Sequence, residues 1–170
     1  MPTMSHVTAE LEDYSVYVML NVRGTLTGFH WGIYVPTNKP QGDVWHAVNR
    51  SGGWFLETKT TTGVPTSLSL CLCFKVGTVN SQTWNTLKTT LGQVPASGQP
   101  SPNTHEAFTC RVWVKDALLA LYNAGVIRLT KAIATIEEKA VEQAESRRVG
   151  VEQGTHGAMV WNNTGFSTTC

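Results

Sequence analysis

Five short runs rich in aromatic and β-branched residues follow one another between residues 14 and 76, with no helical period between them. They are YSVYVMLNV (14–22), the stretch Phe29 to Val35, DVWHAVN (43–49), WFLETK (54–59) and SLSLCLCFKV (67–76). Runs of this length and composition read as strands. Pro36 should stop the second strand because it has no N–H to give a ladder. TNKPQG then reads as a loop, and Ser51-Gly52-Gly53 as the centre of a hairpin joining the third strand to the fourth. The period changes only after residue 80. SQTWNTLKTTLG offers Ser81 as N-cap, Trp84, Leu87 and Leu91 on one face, and Gly92 as a stop. CRVWVKDALLALYNAG sets Trp113, Ala117, Leu118 and Leu121 on one stripe, with Gly125 just past its end. A last helix over residues 130–147 aligns Ile133, Ile136, Ala140 and Ala144, and the Pro/Ser-rich stretch 93–107 is a connector. Strands first and helices after make this an α+β chain. The expected architecture is an antiparallel sheet of about five strands, arranged as a meander and packed with three helices.

At 170 residues, 41% of them hydrophobic, the chain can bury a real core as one domain. We place that domain at residues 1–150, with 151–170 as a polar tail in which AMVW (158–161) offers a short strand. A formal net charge of +1 with scattered lysines and arginines argues against a nucleic-acid partner, which needs a basic patch. The N-terminal residues have no apolar signal-peptide core, and no run reaches the ~18 apolar residues of a membrane span. The expectation is a cytoplasmic protein. Cys71, Cys73, Cys110 and Cys170 are then thiols rather than a disulfide framework, and the sequons at Asn49 and Asn162 carry no sugar.

Cys110 opens a predicted helix after a polar loop. Free backbone N–H groups and the helix dipole at such a position favour a thiolate and can stabilise an oxyanion. A small buried residue at a helix start is the plain alternative. His30 and His46 lie on the strands that flank TNKPQG. If those strands pair, both rings reach one edge of the sheet, where the Cys110 helix can dock. A thiol, a base and a third polar group that orients the base form an activated nucleophile.

FHWGIYV, then VWHAVN, then TCRVWVKDALLAL resemble the lecithin:retinol acyltransferase-like branch of the circularly permuted papain-like (NlpC-type) superfamily. That branch carries an HWA-I/L-Y strand, a second strand ending V-I-H and a helix starting N-C-E-H-F-V. The resemblance covers residues 14–125 and implies a permuted papain-like fold, with His30 as base, His46 as its orienting partner and Cys110 as nucleophile. The chain departs from the pattern in its longer loop between the histidines. Thr109 also stands in place of Asn, and Arg111-Val112 in place of Glu-His. Phospholipid or retinoid transfer is therefore not implied, only a Cys110 thioester formed with an amide or ester. The chain is also similar to small uncharacterised fungal proteins, which implies no activity.

The resulting expectation is a thiol-dependent hydrolase or acyltransferase acting on a small-molecule or peptide acyl substrate. Its rival is a non-enzymatic binding or scaffold protein on the same fold. Trp31, Trp45, Trp54, Glu57 and Arg111 are the candidate substrate contacts. The tryptophans have core packing as their alternative, and Glu57 has an orienting role or a surface position. Cys71 and Cys73, two apart on one face of a strand, are too closely spaced for paired zinc ligands, and no metal or cofactor is expected. His105 is a competing base or a loop histidine. Asp116 reads as a surface charge, and His6 and His156 as parts of mobile ends. There is neither a phosphate-binding glycine loop nor a nucleotide fingerprint.

Overall fold

A computed structural model of the chain describes residues 2–162. The elements in chain order are α1 (Pro2–Glu10), β1 (Ser15–Arg23), β2 (Leu26–Asn38), β3 (Gln41–Arg50), β4 (Gly53–Thr61), β5 (Leu70–Thr78), α2 (Trp84–Gln93), α3 (Cys110–Asn123), α4 (Ile133–Glu152) and β6 (Met159–Trp161). The chain is α+β, built on one six-stranded sheet of order β4-β3-β2-β1-β5-β6.

The sheet differs from the expected five-strand antiparallel meander in three ways. First, β5 pairs with β1, not β4. It is buried along almost its whole length, which requires neighbours on both sides, whereas β4 is largely exposed and forms the edge. Second, β6 from the tail adds to β5 in parallel, so the sheet is mixed. Third, α1 makes a fourth helix; its Val7, with Leu11 just after it, packs onto the sheet. Pro36 does not end β2. The strand runs through it to Asn38, and a register shift between Pro36 and Asn38 takes up the missing donor. TNKPQG is consequently part of a long hairpin rather than a loop.

Each face of the sheet has its own core. On one side Val18, Leu20, Phe29, Trp31, Ile33, Trp45 and Ala47 meet α2, α3 and α4 through Leu87, Leu91, Trp113, Ala117, Leu121, Ile136, Ala140 and Ala144. On the other, Tyr17, Met19, Tyr34, Val44 and Cys73 meet α1 and Val64. Cys71 and Cys73 divide between the two cores. The β1–β5 register shifts between Leu20 and Asn21, so Cys71 is the extra residue of a bulge and the two thiols no longer share a face. Burial pushes them up to about 11 and about 12 respectively, which keeps both as inert thiols.

Helix ends shifted by a few residues from the sequence reading. Thr83 and not Ser81 holds the N-cap position of α2, without a side-chain capping bond, and the helix runs through Gly92 to Gln93. α4 extends to Glu152, into the segment read as a tail. Gly125, at φ +72°, closes α3 as expected, with Val126 N–H donating to Leu121 O. Asp116, read as a surface charge, is buried. It accepts from Ser101 Oγ at 2.7 Å and Asn103 Nδ2 at 3.0 Å, and so pins the connector before α3. No helix among the described residues is long and apolar enough to cross a membrane.

Candidate active site

The β3–β4 hairpin turns through Ser51-Gly52, with Arg50 paired to Gly53. Counting back along the ladder sets His46 directly opposite Glu57. Directly opposed residues point to the same face, and His46 Nε2 lies 2.7 Å from Glu57 Oε1. The other carboxylate oxygen, Oε2, takes Arg50 at 2.9 Å. Between β2 and β3 the paired register ends at Ile33–Trp45. Past that point His30 lies diagonal to His46, and its Nε2 is 2.7 Å from His46 Nδ1. Gly32 sits between them, where an added Cβ would lie 3.2 Å from His46 Cβ and 3.0 Å from Met19 Cε.

Proton positions follow from the chemistry of the chain. The hydrogen bond from His46, then burial and Arg50 acting against one another, hold Glu57 below the usual carboxylate range, so it is an acceptor. His46 Nε2 therefore donates to it, which leaves His46 Nδ1 as an acceptor for His30 Nε2–H. The unprotonated nitrogen at the end of this chain is His30 Nδ1. Burial, the neighbouring His46 and the charge of Arg23 lower His30 to about 4. Burial also lowers His46, against the pull of Glu57. Both imidazoles are neutral at pH 7.

The two histidines open onto a cleft of about 390 Å³ on the α1 side of the sheet, whose walls include Asn21, Lys59, Ser67 and Ser69. Asn21 Nδ2 donates to Ser69 Oγ at 2.9 Å, and Ser67 Oγ lies 3.1 Å from Ser69 Oγ. Asn21 Oδ1 is buried without a partner.

Cys110 is the first residue of α3. Thr109 caps the helix, with Val112 N–H donating to its Oγ1 at 3.2 Å. The helix packs on the opposite face from the cleft, and Cys110 is half-buried against that core. Its Sγ takes the Trp31 N–H at 3.5 Å and lies 4.0 Å from Phe29 O. The thiol thus lies against the two peptide groups that flank His30, along a stretch of β2 beyond the end of its paired register with β3. It makes no hydrogen bond to either imidazole among the described residues. His30 and His46 are brought together; Cys110 is one strand backbone away.

The other candidates divide the same way. Trp31 and Trp45 are buried in the helix-side core, because neighbours in a strand point to opposite faces. A tryptophan next to a cleft histidine therefore faces away from the cleft. Trp54 packs edge-on against Phe108, 5.0 Å between ring centres, on the thiol's side. Arg111 is committed to Glu106 and Glu137, and Lys115 joins the same pair of carboxylates. His105 is exposed in the connector at φ +62°. His6 pairs with Glu10 at 2.8 Å within α1, and exposed His156 lies 3.2 Å from Thr155 Oγ1. Cys170 lies outside the described residues. Among those residues no group of three or more His, Cys, Asp or Glu could hold a metal ion.

Sequence reasoning missed Arg50, Asn21, Lys59, Ser67 and Ser69. Strand parity could have found Lys59, since Val44 opposite it shares a face with His46. The serines lie on an irregular segment with no period to read.

Residues 16–128 match DUF6540, a family of unknown function. The matched stretch carries His30, His46, Glu57 and Cys110. No curated protein matches the chain, and no solved structure does. With well over half of its length matched, the chain belongs to this family of unknown function.

Proposed function

We propose that the chain is a hydrolase or acyltransferase whose general base is His30 Nδ1. The observation that carries this is the chain Arg50, Glu57, His46, His30, which fixes two tautomers and leaves one unprotonated nitrogen on a ring that lines a cleft. As a water or substrate hydroxyl attacks an ester or amide carbonyl, Nδ1 takes its proton. The same nitrogen returns that proton to the departing alcohol or amine when the tetrahedral intermediate collapses. Glu57 balances the positive charge that His30 and His46 share in between. The test is turnover of a panel of small esters and amides. His30→Ala should lower the rate by about 10²-fold or more, the usual weight of a general base, and Glu57→Gln by less. Unchanged turnover in His30→Ala overturns the assignment and favours a binding protein on this fold.

A second reading keeps Cys110 as nucleophile on a permuted papain-like fold. It is supported by the thiol's place at the first turn of α3 and by the Trp31 N–H that donates to Sγ. It requires the thiol to pass from its backbone contacts to the His30 ring. Cys110→Ala separates the readings, since it abolishes turnover only if the thiol attacks. The pH profile separates them again. With His30 as base, the rate rises through about pH 4, where His30 loses its proton, and is flat above it. A profile without that rise speaks for the thiol reading.

A further inference from the structure

The cleft has a one-sided charge. Lys59 lines it, and its ammonium has no ion-pair or hydrogen-bond partner among the described residues. The charges of Arg23 and Lys59 both lower His30, against the opposite pull of Glu57. The carboxylate nearest the histidines, Glu57, is already engaged by His46 and Arg50, and no Asp or Glu is among the residues lining the cleft. The same lining adds hydroxyl donors. Asn21 Nδ2 donates to Ser69 Oγ, and Ser67 and Ser69 share a single hydrogen bond in which either hydroxyl can donate. In either order, one hydroxyl proton of the pair stays uncommitted. A cleft with an unpaired ammonium, a spare hydroxyl donor and no carboxylate of its own suits an anion.

We infer that this cleft takes a small oxyanion-bearing substrate, a carboxylate or a phosphate, held between Lys59 and the Ser67–Ser69 pair beside His30. This deepens the reading of His30 as base and rests on that reading for the word substrate. The binding itself stands separately. The anion's charge also favours a proton on His30, so binding should raise the pKa of that ring.

The experiment is an NMR titration of the full chain with acetate, inorganic phosphate and acetamide, the last as the neutral counterpart of acetate. The expected result is saturable shifts of the His30 ring with at least one anion, and at least tenfold weaker binding of acetamide. The His30 pKa should move upward in the complex. Lys59→Gln should remove most of the preference for the anion over acetamide, while Lys139→Gln, on α4 across the sheet from the cleft, should leave it intact. Whichever anion binds more tightly identifies the source of the oxyanion. Equal binding of acetate and acetamide, a Lys59→Gln protein that still discriminates, or equal losses in the two lysine variants would overturn the inference. The His30→Ala protein keeps the two proposals apart. It should retain anion binding, followed on Ser67 and Ser69 backbone signals, even while it loses turnover. Retained turnover with retained binding sinks the base and spares the anion site.

Discussion

Gly32 matters for the side chain it lacks. The row Met19, Gly32, His46 crosses three strands on the cleft face, and a Cβ at its centre would crowd both neighbours at once. Larger side chains at this point would push the His46 ring off His30 or the Met19 thioether off its core. Gly32→Val should therefore separate the imidazoles, and its signature should be local. The His46 ring resonances should move and turnover should fall, with a stability loss of about 1–3 kcal/mol from overpacking. A variant with wild-type ring signals and activity would show that the glycine has no part in setting the histidine pair. His46 and Glu57 rest on firmer ground, since their opposition comes from ladder counting rather than from a space left open.

At the scale of elements, the sequence spoke clearly wherever a period was long. Helix α3 reads off its stripe of Trp113, Ala117, Leu118 and Leu121, and its end off Gly125. A two-residue turn at Ser51-Gly52 is enough to set His46 against Glu57. The site was half legible for a physical reason. Pairing β2 with β3 brings His30 near His46, but whether α3 docks on their face or on the other depends on which core its stripe fills. That is decided by tertiary packing and not by the strands. Helix α1, the bulge at Cys71 and the parallel addition of β6 were illegible because short or polar segments gain their structure from the sheet they cover. The cap of α3 gives an element-level prediction. Thr109→Ala removes the acceptor for Val112 N–H and should cost about 1 kcal/mol, which for a chain of this size lowers Tm by roughly 2–4 °C. The His30 ring signals should stay in place, because that helix start faces the other side of the sheet. An unchanged Tm would mean that the cap contributes nothing to stability.

For the whole molecule, burying two adjacent neutral imidazoles links stability to pH. The folded protein holds His30 at about 4 and His46 below its ordinary value, while an unfolded histidine titrates near 6.5. Below that pH the unfolded chain takes up protons that the folded one refuses. Stability is thus complete above about pH 6.5 and declines as pH falls towards 4. Glu106, drawn down to about 2 by Lys115 and Arg111, withdraws its share only in stronger acid. Urea midpoints should drop between pH 7.5 and 4.5, and His30→Gln should flatten that slope. Midpoints that do not change over this interval would contradict the burial of neutral rings. The sheet that separates those rings from the thiol has one more consequence. Along a strand, a side chain's company is a matter of odd and even, and one inserted or deleted residue exchanges the two sides. His30 and Cys110 stand against opposite sides of the same few atoms of β2. A one-residue bulge just before His30 would turn its ring towards Cys110 and away from His46, so in this strand the two contacts exclude one another.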